Sequence, residues 1–302
     1  MHNSSITASA YWFIPVDIVM LVCLSLLVIL NSLLLLVLIF DKTCHKLPVI
    51  LVSNTYLAQI LLAAVIFSMA TFTLQNDLKN IVHLDRFCLF RGYLSYVLCT
   101  IMNFSFLLQA FYRYLSAVYP TYTYWKSKKL HLLLVSITWV YSFVYPLPFT
   151  LSGKITYNVD NQVCQIPLRL SFALIYAIFN VYLLPVGLIQ LIYFRLVRHI
   201  QDINAQPIGV YNTFRVQREL KMVRQIVIVV CVLIIFGLPY SSFALTSFFT
   251  TPPKYHFRIA VLFIISSLMF ITLALFYFTS PIKSSVNKLI GSHSSQSYEV
   301  PK

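Results

Sequence analysis

The stretch FYRYLSAVYP, residues 111–120, sets a single arginine, Arg113, among aromatic and aliphatic side chains. It closes an apolar run, residues 89–118, longer than the roughly 20 residues a helix needs to cross a bilayer. Working outward, comparable runs occupy 11–40, 47–74, 131–150, 168–198, 218–249 and 256–280, which makes seven. The composition agrees: 59% of the residues are hydrophobic and 10% charged, against roughly 25% charged in soluble domains. The alternating pattern of membrane barrel strands is missing, so the expected fold is an all-α membrane protein, a seven-transmembrane helix bundle. The chain divides into an N-terminal segment 1–10, the bundle 11–280, and a tail 281–302. In the tail, Ile282, Val286, Leu289 and Ile290 form an apolar stripe with Lys283, Asn287 and Lys288 off it, the pattern of a short amphipathic helix 8 lying on the membrane.

Residues 1–10 hold no Lys or Arg and the first run is about twice an ordinary signal core, so it reads as a span and not a cleaved leader. A net charge of +14 would fit a nucleic-acid binder, but the distribution argues otherwise. With the N-terminus outside, the cytoplasmic segments hold fifteen of the twenty-two Lys and Arg residues, as the positive-inside rule requires. The C-terminus then lies in the cytoplasm, and the expected location is the plasma membrane. Asn3-Ser4-Ser5 is a glycosylation sequon on the outer side. Of the six cysteines, only Cys88 and Cys164 sit in or beside outer segments where oxidation occurs, so these two are paired. The seven histidines are scattered without ligand spacing, and the sequence calls for no metal and no cofactor.

Arg113 lies at the inner end of the third span. By location alone, an anchor reaching the headgroups and a functional group weigh equally. Further residues break the tie. Tyr112-Arg113-Tyr114, followed by Ala117-Val118 and Pro120, resembles the Asp/Glu-Arg-Tyr motif and following loop of rhodopsin-like (class A) G-protein-coupled receptors. Other landmarks of that family fall in order: Asn31 in the first span, Asn54 to Ala58 in the second, Trp139 and Pro148 in the fourth, Pro185 and Tyr193 in the fifth, and Pro239-Tyr240 in the sixth. Departures are equally visible. Tyr112 replaces the acid that restrains the arginine, Gln59 replaces the aspartate of the second span, and Gly237 stands where the sixth span's tryptophan is expected. In the seventh span Leu273 to Tyr277 stand for Asn-Pro-x-x-Tyr, with Tyr277 alone retained.

The resemblance implies a receptor that converts binding of an extracellular ligand into activation of a heterotrimeric G protein. Tyr112, Arg113, Tyr114, Tyr193, Glu219 and Tyr277 are then the coupling residues, with Glu219 as the acid that would bridge to Arg113. Asn31, Gln59, Trp139, Pro148, Pro185 and Pro239 would be structural. Ser95, Tyr96, Cys99, Tyr240, Ser241, Phe263 and Ser267 would line the ligand pocket, suited to a small molecule or short peptide. Ser95 stands where amine receptors hold an aspartate, which disfavours an amine. The family's sodium site is expected to be lost, with Gln59, Met102, Met269 and Leu273 in place of its acidic and polar groups. Membrane lipid is the remaining partner, and no nucleic acid is expected. A non-signalling or scavenging receptor is the alternative within the fold. A transporter ranks lower, since no duplication and almost no mid-span charge is visible. An enzyme ranks last, because no catalytic motif lies at membrane depth.

Overall fold

The computed structural model describes residues 4–41, 47–79, 81, 86–119, 124–204, 211–250, 253–279 and 283, without the side chains of 4–12, 126, 200, 202–204, 211–226 and 229–230. The proposed helix 8 and the sequon at Asn3 lie outside the described residues.

The chain is built of long helices: α1 (Ser4–Phe40), α2 (Leu47–Lys79), α3 (Cys88–Val118), α4 (Lys128–Val144) with the short α5 (Leu147–Leu151), α6 (Phe172–Ile178) running through a π segment (Phe179–Leu183) into α7 (Leu184–Asn204), α8 (Tyr211–Thr246) and α9 (His256–Phe278). Six of the resulting spans are long and apolar enough to cross a membrane, and Cys231–Thr246 of α8 is a shorter apolar stretch. Their outward faces explain why. Ile18, Val22, Leu26, Ile29 and Leu33 form an exposed stripe along α1, about half of each side chain uncovered. Such a stripe is a liability in water and ordinary against lipid tails. Asp17 is the one charge in residues 11–40, and it is fully buried instead.

Around α3 the helices close a ring: α3 packs on α2, α4, α7 and α8, while α1 meets both α2 and α9. The main core threads through this ring, with Leu24, Leu27, Tyr56, Leu62, Val97, Ile101, Leu268, Ile271 and Leu275 all fully out of solvent. A second cluster lies around the Cys88–Cys164 disulfide, and a small third one, Ala117 and Leu196, lies at the other end near Tyr114 and Tyr193. Between α5 and α6 a hairpin pairs β1 (Thr156–Asn158) with β2 (Val163–Gln165), placing Tyr157 opposite Cys164.

Proline and polar residues correct several expected boundaries. The fourth span breaks after Val144, where Pro146 has no N–H to continue the helix. The fifth starts at Phe172 and not 168, because the chain bends at 168–170 and Ser171 caps the helix, its Oγ accepting from Leu174 N at 3.3 Å. The second runs to Lys79, five residues beyond the apolar pattern, since Asn76 and Asp77 turn inward and are buried. The sixth ends at Thr246, short of 249.

Candidate functional site

The disulfide end of the bundle is held by a polar network that the sequence alone did not reveal. Arg258, one turn into α9, is 6% exposed and gives a two-pronged contact to Asp77 of α2, Nη1 to Oδ2 at 2.5 Å and Nη2 to Oδ1 at 3.2 Å. Asp17 of α1 lies 3.6 Å from the same Nη1, with neither of its oxygens hydrogen-bonded. One guanidinium thus ties three helices together. Phe13 and Tyr255 cover its plane, with ring centroids 5.0 and 5.9 Å from Cζ. The hairpin joins in from the other side. Gln162, in the left-handed region at φ 54°, donates from Nε2 to Asp77 Oδ1 at 2.7 Å. Asn161 Oδ1 accepts from the N–H groups of Phe257 and Arg258 at 3.1 and 3.4 Å, capping α9 from another part of the chain. Burial holds the Tyr157 phenol above its ordinary pKa, with Arg258 pulling it down and Asp77 pushing it up.

Beneath this network the hairpin sits directly on α3. Gly92 makes the approach possible, because a Cβ there would collide with the Cys164 carbonyl. Gln165 Nε2 donates to Ser95 Oγ at 3.3 Å, and Ile166 N donates to the Tyr96 hydroxyl at 3.2 Å. The expected pocket residues are therefore only partly gathered. Tyr96 and Tyr240 pack together with the hairpin. Ser241 turns its hydroxyl back to the Gly237 carbonyl at 3.0 Å, and Ser267 is buried on α9. Phe263 points partly outward, 37% exposed, with its ring 6.5 Å from Phe236.

Mid-bundle contacts tie the predicted structural residues together. Trp139 Nε1 donates to Asn54 Oδ1 at 2.9 Å, and Asn54 Nδ2 donates to Ser105 Oγ at 2.6 Å, so α4, α2 and α3 share one relay. Pro185 has no N–H for the Val181 carbonyl four residues earlier. Asn103 of α3 donates to that carbonyl at 2.7 Å, and the chain around it takes the wider π winding. Asn180 in the same segment receives the Tyr141 hydroxyl. Opposite, Gly237 leaves room for the Tyr182 ring, whose hydroxyl donates to Leu233 O at 3.1 Å across to α8. An aromatic residue at 237 would occupy that space.

At the expected ion site the seventh-span register shifts by one. Leu273, assigned to that site, is 53% exposed on the outside of the bundle, and Thr272 takes the inward place. Its hydroxyl lies 3.2 Å from Asn31 Oδ1, 3.1 Å from Gln59 Oε1 and 2.9 Å from Leu268 O. One hydrogen serves one of these three acceptors, while the amide nitrogens of Asn31 and Gln59 are buried without partners. Turning one amide over lets its NH2 donate to Thr272 Oγ1, while the Thr272 hydroxyl donates to the other amide's oxygen. Tyr277 faces outward in this structure: it is 67% exposed, with Lys283 Nζ 5.4 Å from its ring. Phe276 packs against the main core in its stead.

At the far end of α3, Arg113 is half-buried, Tyr112 meets His131 edge-on with centroids 5.3 Å apart, and Tyr114 packs with Tyr193 beside Ala117 and Leu196. The side chain of Glu219 lies outside the described residues. Pro148 is exposed in α5, and Pro239 lies inside α8. Among the described residues no cluster of His, Cys, Asp or Glu is arranged to hold a metal ion.

Comparison with known proteins bears on these assignments. No curated protein matches the chain. The profile of the family described as 7 transmembrane receptor (rhodopsin family) matches residues 30–280, from the last part of α1 through α9, and takes in the disulfide, the Asn54–Trp139 relay and Arg113. The chain is a multi-pass membrane protein, and it belongs to the rhodopsin family of seven-transmembrane receptors.

Proposed function

We propose that this receptor binds its ligand at the disulfide end, outside the plasma membrane, and activates a heterotrimeric G protein at the Arg113 end, in the cytoplasm. The observation that carries the reading is the build of α3. A disulfide to the hairpin pins it at Cys88, and 25 residues later it presents Arg113 between two tyrosines. Disulfides persist in oxidising compartments, which supports placing that end outside. The concentration of Lys and Arg in the segments joining the opposite helix ends supports the same orientation.

Activation is then a two-state shift in which ligand favours a form with α8 swung away from α3 and Arg113 uncovered for the G protein. Tyr112 in place of an acid leaves no carboxylate beside Arg113 in its own motif, which favours easy release. The same substitution, with Gly237 and the missing Asn-Pro pair, favours a second reading, a receptor that captures ligand without signalling. The receptor in membranes, mixed with purified G proteins of each class and a panel of ligands, decides between them. Guanine-nucleotide exchange above empty membranes supports signalling, and ligand uptake without exchange supports capture.

A further inference from the structure

We propose that the ligand of this receptor carries a carboxylate on an apolar body and docks in a cleft beside the hairpin, held by Arg169 and Lys254. The proposal rests on the receptor reading and names the chemistry of its ligand. A cavity of about 530 Å³ opens between the hairpin loop, the segment after β2, and the connection from α8 to α9. That volume lies within the roughly 300–1,000 Å³ usual for small-ligand sites. The residues expected deeper in the bundle are less available, since the hairpin already engages Ser95 and Tyr96.

The lining selects the ligand by charge. Arg169 and Lys254 are exposed on two different walls, and Asp160 is the one carboxylate facing them. Among the described residues neither cation forms an ion pair, so both keep their charge available to a ligand. His256 opens α9 at the same wall, and the positive end of this 23-residue helix adds to the field. An ammonium ligand would meet two cations and one acid. A carboxylate is drawn by the same two cations and repelled by the one acid, and the guanidinium and ammonium on separate walls can grip its two oxygens. Beside the polar Asn158, Ser247 and Thr250, the lining includes Phe248, 37% exposed, and Phe249, 87% exposed, which offer a surface for an aryl or alkyl body. Such an acid comes from two sources, the free C-terminus of a short peptide or a simple organic acid.

Binding is measured by calorimetry on the purified full chain in nanodiscs. The probes are 3-phenylpropanoate and a tripeptide ending in phenylalanine, each against its neutral amide. At least one acid should bind saturably, its amide about tenfold more weakly or not at all. Tighter binding of the peptide assigns the site to C-termini, and tighter binding of the small acid assigns it to organic acids. Arg169→Gln and Lys254→Gln should each weaken the acid about tenfold, Lys254→Arg should preserve it, and Asp160→Asn should tighten it about twofold to threefold. If Arg169→Gln fails to fold, the Lys254 and Asp160 variants still decide. No saturable binding of either acid, equal binding of acid and amide, or affinity indifferent to these charges overturns the proposal. Because binding is read without a G protein, the two readings fail separately. Nucleotide exchange driven by a ligand indifferent to these variants would sink the acid site and spare the receptor, and acid binding without any exchange would do the opposite.

Discussion

At the disulfide end, three helices and a hairpin converge on Asp77 and Arg258, with Cys88–Cys164, Gln162 and Asn161 adding a covalent bond and directional hydrogen bonds. At the Arg113 end, Tyr112 meets His131 and Tyr114 meets Tyr119 edge-on, and Ala117 packs with Leu196, while the α8 side chains 211–226 lie outside the described residues. The difference lies in what each contact tolerates. Buried charge-assisted bonds lose most of their worth when a partner moves by an ångström, whereas ring and methyl contacts slide at modest cost. The proposed activation asks the Arg113 end to open while the disulfide end stays fixed, the asymmetry a transmembrane switch needs.

The sharpest way to break the comparison is to strip the rigid end of its cation. Arg258→Met leaves two buried carboxylates facing each other, and loss of one partner of a buried pair costs about 3–5 kcal/mol. The variant should lose most of its surface expression and melt well below wild type in a thermal assay of the purified receptor. Asp17→Asn should do the reverse. Asp77 already takes both Nη atoms of Arg258, so Asp17 is the surplus charge, and its neutral form should leave the melting temperature unchanged or raised. A fall in both variants alike would mean that all three residues form one balanced unit.

Next in size is the disulfide. Cys88→Ser should cost about 2–5 kcal/mol, read as reduced surface expression and reduced thermal stability. Smaller still is Asn103→Leu, which strands the Val181 carbonyl beside Pro185, for about 1–3 kcal/mol. Restoring the missing N–H with Pro185→Ala in the same chain should recover part of that loss. The smallest effect is an absence: agonist binding curves in sodium and in an impermeant organic cation should overlay, since Gln59, Asn31 and Thr272 offer amides and a hydroxyl but no carboxylate.

The parts of the molecule that were legible in advance are those set by local patterns. Spans followed from apolar length, the Cys88–Cys164 bond from the compartment of its two residues, and Asn54 with Trp139 from their place in a familiar order. The ion cluster was not legible, because its members lie up to 241 residues apart and Arg258 reads as a loop cation next to Lys254. A signal did exist: Asp17 is a solitary charge in a long apolar span, and such residues are retained where something pays for their burial. With Asn-Pro gone, the register of α9 rested on spacing: 38 residues from Pro239 favour Tyr277 over a register placing Ser280-Pro281 on the motif, while the structure turns Thr272 inward and Leu273 outward. The π segment likewise depends on Asn103, 78 residues from its partner.

The central claim is that Arg113 couples the loose end of the bundle to a G protein. It is tested most directly by nucleotide exchange at matched surface expression in three variants: Glu219→Gln, Arg113→Ala and the double mutant. If Glu219 restrains Arg113, removing about 1 kcal/mol of closed-state stability should raise agonist-free exchange roughly fivefold in Glu219→Gln. Arg113→Ala should abolish exchange while sparing ligand binding, and the double mutant should resemble it. Full exchange by Arg113→Ala would contradict the account and leave that arginine as a membrane anchor.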